Sequence, residues 1–194
     1  MSTAPGRPRA ADAEDRLARA AVEIYGTEGW AGLSIGSVAK RARMGKSSLY
    51  LRWSTKGELL ADAFALFGAH VEAVDTGNIR TDLIALSMKL VDAYDGPAGL
   101  ANLRLQIDGA TVPELRDVER RMRETQVKAA REIVKRGIAR GEVPSTAPVG
   151  LVLNAVCGGV VNYTNTRPPE DRPLDRLEAE KFCGRLVDLV LRGL

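Results

Sequence analysis

The sequence predicts an all-α protein: an N-terminal three-helix helix-turn-helix module and a larger helical domain after it. Three observations carry this. Apolar residues recur at three- and four-residue spacings along most of the 194 residues, and no segment carries a strand signal. No proline occurs between Pro8 and Pro97, and every later proline sits where a helix should begin or end. Between Ser34 and Lys56, two short amphipathic segments meet at a tight turn, the second opening with basic and hydroxyl residues.

Met1 to Ala11 is expected to be a disordered basic arm, because Pro5-Gly6-Arg7-Pro8-Arg9 offers nothing to bury. The spacing then predicts a helix over Asp12–Gly26 with Leu17, Ala20, Ala21 and Ile24 inward. Asp12, Glu14 and Asp15 favour its N-terminal dipole, and Gly26 and Gly29 stop it. Trp30 and Leu33 are candidates for the small core of the module. Ser34 suits an N-cap for a helix that buries Ile35, Val38, Ala39 and Ala42. Gly45 opens the next helix, with Leu49 and Trp53 inward and Lys46, Ser47, Ser48 and Tyr50 left at its outer surface.

Ser54-Thr55 can cap a helix from Lys56 to about Val74, whose apolar face holds Leu59, Leu60, Phe64, Phe67 and Val71. This helix would run from the recognition helix into the second domain as a lever, with Gly68 a weak point. Further helices are expected over Ile79–Tyr94, over Pro97–Asp108 (Leu100, Leu103 and Ile107 inward) and over Pro113–Arg140, long and highly charged. Two more cover Pro148–Asn162, apolar almost all round, and Leu174–Leu194. The expected division is a basic arm over 1–11, a DNA-binding domain over 12–56, and a helical domain over 57–194.

The net charge of +3 is unevenly placed. Up to Lys56 ten basic residues face five acidic ones, a surplus of +5, so the remainder carries −2. A basic module on a near-neutral body is what phosphate binding requires. Function classes that need other chemistry lack their residues. The single histidine, His70, has no spaced partners for a metal, Cys157 and Cys183 are far apart, and there is no GxSxG, phosphate loop or GxGxxG. No enzymatic role, metal or cofactor is expected. With neither a 20-residue apolar span nor a secretory pattern, a cytoplasmic protein away from membranes is expected.

Ser34-Ile35, Val38-Ala39, Ala42, Lys46-Ser47-Ser48-Leu49-Tyr50, Arg52-Trp53, Lys56 and Leu59-Leu60 together resemble the DNA-binding signature of TetR-type transcriptional repressors. The likeness covers roughly residues 12–65. It departs from the pattern where Arg43 replaces the usual glycine of the turn and Gly45 the usual serine that opens the recognition helix. An arginine at positive φ costs about 1–2 kcal/mol, which makes a re-routed turn the alternative.

The resemblance implies an all-helical homodimer joined through the last two helices, released from a palindromic operator in double-stranded DNA by a small-molecule effector. The alternative is a constitutive or architectural DNA-binding protein without a ligand. The DNA contacts expected are Ser34, Arg43, Lys46, Ser47, Ser48, Tyr50, Arg52 and Lys56, with Arg7 and Arg9 reaching a minor groove. Pocket candidates are the apolar Phe64, Phe67, Met88, Leu103 and Ile107 with His70, Asn102 and Asn154 as polar anchors, which suits an apolar or amphipathic effector. The dimer interface is expected at Val152, Val156, Gly159, Phe182, Leu186, Leu189 and Val190.

Overall fold

A computed structural model describes residues 8–67, 74–96 and 98–194. All regular elements among the described residues are helical: α1 (Pro8–Gly32), α2 (Ile35–Ala42), α3 (Lys46–Tyr50), α4 (Lys56–Phe67), α5 (Ile79–Asp95), α6 (Gly99–Thr111), α7 (Arg116–Ala139), α8 (Val149–Asn165) and α9 (Arg176–Arg192), with short 3-10 turns at Pro113–Leu115 and Pro169–Asp171. The chain divides into two compact units, residues 1–68 with 97–119 and residues 69–96 with 120–194.

In the first unit α1 is longer than its apolar pattern suggests. It begins at Pro8, a residue pre-set for a first helical position, and so takes up the last residues of the expected arm. Gly26 does not stop it. The break comes at Gly29, whose φ of 74° and ψ of −172° suit only a residue without Cβ. Leu17, Ala21, Ile24 and Tyr25 of α1 are buried together with Val38, Ala39, Leu49, Trp53, Leu59, Leu60 and Phe64. The expected cap of α4 forms as a reciprocal pair. Thr55 Oγ1 accepts from the Glu58 amide at 3.2 Å, and Glu58 Oε2 accepts from the Ser54 and Thr55 amides at 2.8 and 3.2 Å. Of the proposed lever, Lys56–Phe67 is helical; Gly68 to Ala73 lie outside the described residues.

α6 corrects the pattern. Leu100, Leu103 and Ile107 share a face, yet Leu100 is exposed, Ile107 is 67% exposed and Leu103 is half-buried. The buried face is instead Gly99, Ala101, Asn102, Leu105 and Gly109. The cause is close approach to α1: a Cβ on Gly26 would lie 3.1 Å from the Ala101 backbone nitrogen. Gly26 and Ala101 admit that contact, which leaves Leu100 and Ile107 outward.

The second unit is built around α5. Ile79, Leu83 and Leu86 pack with Ile133 and Val134 of α7, Val152, Leu153 and Val156 of α8, and Val187 of α9. α5 is capped by Asn78, whose side chain accepts from the Arg80 and Thr81 amides at 2.9 and 3.3 Å. Arg80 grips Asp188 of α9 with two bonds, at 2.6 and 3.0 Å. Asp82 is fully buried and accepts from the Thr76 amide, the Thr76 hydroxyl and Arg140 at 2.6, 2.7 and 3.1 Å. Burial alone would raise its carboxyl pKa; these bonds and the Arg140 charge outweigh it and hold the group below the ordinary carboxylate value. The charged α7 buries Ala130, Ile133, Val134 and Gly137 and leaves Val127 outward.

Candidate nucleic-acid interface

From Gly29 to Gly57 the chain contains no acidic residue and six basic ones, Lys40, Arg41, Arg43, Lys46, Arg52 and Lys56. That stretch forms α2, the turn and α3. Ser34 caps α2 as expected: its Oγ accepts from the Ser37 amide at 2.9 Å, while Ser37 Oγ accepts from the Ser34 amide at 3.0 Å. The turn keeps its left-handed residue. Arg43 sits at φ 56°, ψ 46°, and the Met44 amide closes the helix end on the Ala39 carbonyl at 2.9 Å. The arginine thus takes the glycine's conformation, its unfavourable φ offset by the closed helix end, and the turn is not re-routed.

α3 points one face into the core and the other outward. Leu49 is buried, and Trp53, in the turn just beyond the helix, is held by a 2.8 Å bond from its Nε1 to Asp62 Oδ2. Arg43, Lys46, Ser47 and Ser48 are exposed, and Tyr50 is 58% exposed. The Ser48 hydroxyl donates to the Gly45 carbonyl at 2.7 Å, which leaves its oxygen as an acceptor.

Two expected contacts are already engaged within the protein. The Lys56 ammonium donates to the Trp30 carbonyl at 2.6 Å and lies 4.1 Å from the centre of the Trp30 ring. It satisfies a carbonyl near the end of α1, where helix carbonyls lack intrahelical partners, and clips α1 to α4. Arg52 pairs with Glu14 at 2.9 Å and stacks on Trp53 at 4.5 Å, with about half of its side chain open. Such a surface bridge is worth little and exchanges readily. Arg7 lies outside the described residues, and Arg9 is in the first turn of α1. The pattern reading passed over Leu51, which is 88% exposed next to Tyr50. Its position two residues from the inward Leu49 is the signal that could have found it.

The pocket candidates fall in both units. Phe64, Asn102, Leu103 and Ile107 belong to the first, Met88 and Asn154 to the second, and Phe67 has no described side chain while His70 lies outside the described residues. Phe64 serves the core, meeting the Tyr25 ring edge-on with centroids 6.0 Å apart. Asn102 is fully buried and Met88 half-buried, but Asn154 faces outward on α8.

The expected interface residues also need correction. Val152 and Val156 are buried in their own subunit's core, so no partner can reach them. Gly159 receives Leu186 of α9, and Phe182 stacks on Tyr163 at 3.8 Å. Val190 packs against the core, whereas Leu189 is 70% exposed. The outward stripe of α8 is Leu151, Asn154, Ala155, Gly158 and Asn162, at helical spacing.

Comparison with known proteins agrees with this architecture. Residues 17–63 match the family model for bacterial regulatory proteins of the tetR family, and residues 73–188 match that for a tetracyclin repressor-like C-terminal domain. The chain is 33% identical over 187 residues to the HTH-type transcriptional regulator AqdR of Rhodococcus erythropolis, covering 95% of this chain and 86% of the relative. It is 30% identical over 180 residues to the DNA-binding transcriptional repressor TetR of Mycobacteroides abscessus, covering 90% of each. Among solved structures it is similar to the Bacillus subtilis regulator FadR in complex with stearoyl-CoA, with a TM-score of 0.73 over 92% of this chain and 98% of that one. At 19% identity this is a likeness of fold.

Proposed function

The chain belongs to the TetR family of helix-turn-helix transcriptional regulators, and from that premise we propose how it works: as a homodimeric repressor that grips a palindromic operator and lets go when a small molecule binds. The observation that carries the DNA half is the outward face of α3. Lys46, Ser47 and Tyr50 are exposed around the helix whose Leu49 is buried, on an acid-free segment, so the helix offers the major groove one cation, short hydroxyl groups and a phenol. Arg43 at the turn and Ser34 at the start of α2 add phosphate contacts, and Lys56 holds the scaffold.

The dimer forms through α8 and α9. Its faces are the outward stripe of α8 and the exposed Leu177 and Leu189 of α9. Two-fold symmetry then presents two α3 helices to two half-sites about 34–36 Å apart. The effector is apolar or amphipathic and is held by the helices of residues 57–194. The stearoyl-CoA carried by FadR is a molecule of that class. The protein acts in the cytoplasm; among the described residues no helix is long and apolar enough to cross a membrane.

Selection of bound duplexes from a random pool tests the DNA reading. It should enrich a near-palindrome, and inserting five base pairs between the half-sites should drop binding close to the non-specific level. Lys46→Ala should lower the salt slope by about one, and Lys56→Ala should leave it nearly unchanged. No enrichment, or full binding after the insertion, would overturn the dimeric repressor. Amphipathic compounds that raise the melting temperature and dissociate the complex support release by ligand; a complex that no such compound weakens points to a constitutive binder.

A further inference from the structure

Among the described residues the most exposed large apolar side chain is Leu51, at 88%, and it lies on the element that reads DNA. Helix geometry puts it there. Leu49 points into the core with 1% exposure. Residues 47 and 51 are each two positions away, about 200° around a helix of 3.6 residues per turn. Ser47 and Leu51 therefore form the ridge diametrically opposite the core. The Leu51 amide still donates to the Ser47 carbonyl at 3.2 Å, and Leu51 holds φ −74° and ψ −25°, so helical geometry persists through it. Tyr50 stands beside it, 58% exposed.

Lys46, Ser47 and Tyr50 have charges and hydroxyls to offer phosphates and base edges. Leu51 has neither. Of the features that base pairs present in the major groove, one is apolar: the C5-methyl of thymine. We propose that Leu51 determines specificity by packing on the 5-methyl group of a thymine in each half-site, next to the base edge that Ser47 contacts one turn earlier. This rests on the reading that α3 enters the major groove.

The test starts from the best site selected from random duplexes by the full-length protein. Its thymines are replaced one at a time by deoxyuridine, which deletes the methyl and nothing else. One thymine per half-site should show a loss of about four-fold, the factor for one buried methylene, and both together about fifteen-fold. Leu51→Ala should bind the unmodified site with a comparable loss and be indifferent to deoxyuridine at that position, so the two changes do not multiply. Because Leu51 is open to solvent, this variant should melt with the parent.

A selected site in which no thymine is sensitive would overturn the inference while leaving the DNA reading intact. A deoxyuridine penalty that Leu51→Ala retains would do the same, as would a Leu51→Ala variant whose oligomeric state changes with its site preference untouched. Failure to enrich any site would remove the DNA reading and this inference with it.

Discussion

The phenol of Tyr25, wholly shielded from solvent, donates a 2.8 Å hydrogen bond to Oδ2 of Asp108 and so ties α1 to α6. Burial foremost, then the bond to the carboxylate, pushes the phenol pKa far above its ordinary value. Tyr25→Phe should cost about 1–2 kcal/mol, since it removes a bond to a charged acceptor that remains partly hydrated. Denaturant midpoints measure that loss. The alkaline absorbance titration of the native protein should be the same for parent and variant, because Tyr25 does not ionise while folded.

Arg43→Gly should separate stability from binding. Glycine adopts the left-handed conformation without the penalty carried at φ 56°, so the variant should gain about 1 kcal/mol. For a chain of this size that is a rise of roughly 2–4 °C in melting temperature. DNA affinity should fall and the salt slope drop by about one. An unchanged melting temperature would mean that interactions of the arginine side chain compensate for its backbone.

Acid should loosen the second unit through Asp82. Its carboxyl is held below the ordinary value when folded, so the unfolded chain binds the proton more readily and stability rises with pH through that interval. The contribution is complete above the ordinary carboxylate pKa of about 4 and vanishes as pH falls through the folded value. Glu142, held low by Arg140, and Asp188, held low by Arg80, move in the same direction. Arg140→Met should lower stability at pH 7, because it leaves the buried Asp82 carboxylate without its cation. Melting curves of parent and variant should converge at strongly acidic pH.

Leu151→Glu and Leu189→Glu should yield folded monomers in sedimentation, because both side chains stand outside the core. Val156→Glu, at a fully buried position, should unfold the protein instead. Dimers persisting in both surface variants would place the interface elsewhere.

These particulars mark where sequence pattern suffices. Ser34, Ile35, Val38, Ala39, Ala42 and Leu49 were legible because capping and the inward face of a short helix are local properties. α6 was not, since its buried face is chosen by the backbone of α1 at Gly26, 75 positions away, and periodicity favours the larger residues. Val152 and Val156 misled for a related reason. An all-round apolar helix has one side for its own core and another for a partner, and composition does not say which residue takes which. Lys56 reads as a phosphate ligand in the sequence because its bond to the Trp30 carbonyl at the end of α1 joins residues 26 positions apart, which no local pattern shows.

The close seat of α6 on α1 bears on how regulators of this kind can be recombined. The unit that holds the DNA-reading helices draws on two stretches of chain, 1–68 and 97–119, with α5 intervening. An exchange of N-terminal segments with another regulator, cut anywhere between α4 and α5, would bring a foreign α1 against the native Ala101, Arg104 and Asp108. A donor with any side chain at the Gly26 position would meet the Ala101 backbone at about 3.1 Å from its first carbon. Grafting new operator specificity onto this sensor therefore means carrying α6 with its own α1, or confining the change to the outward residues of α3.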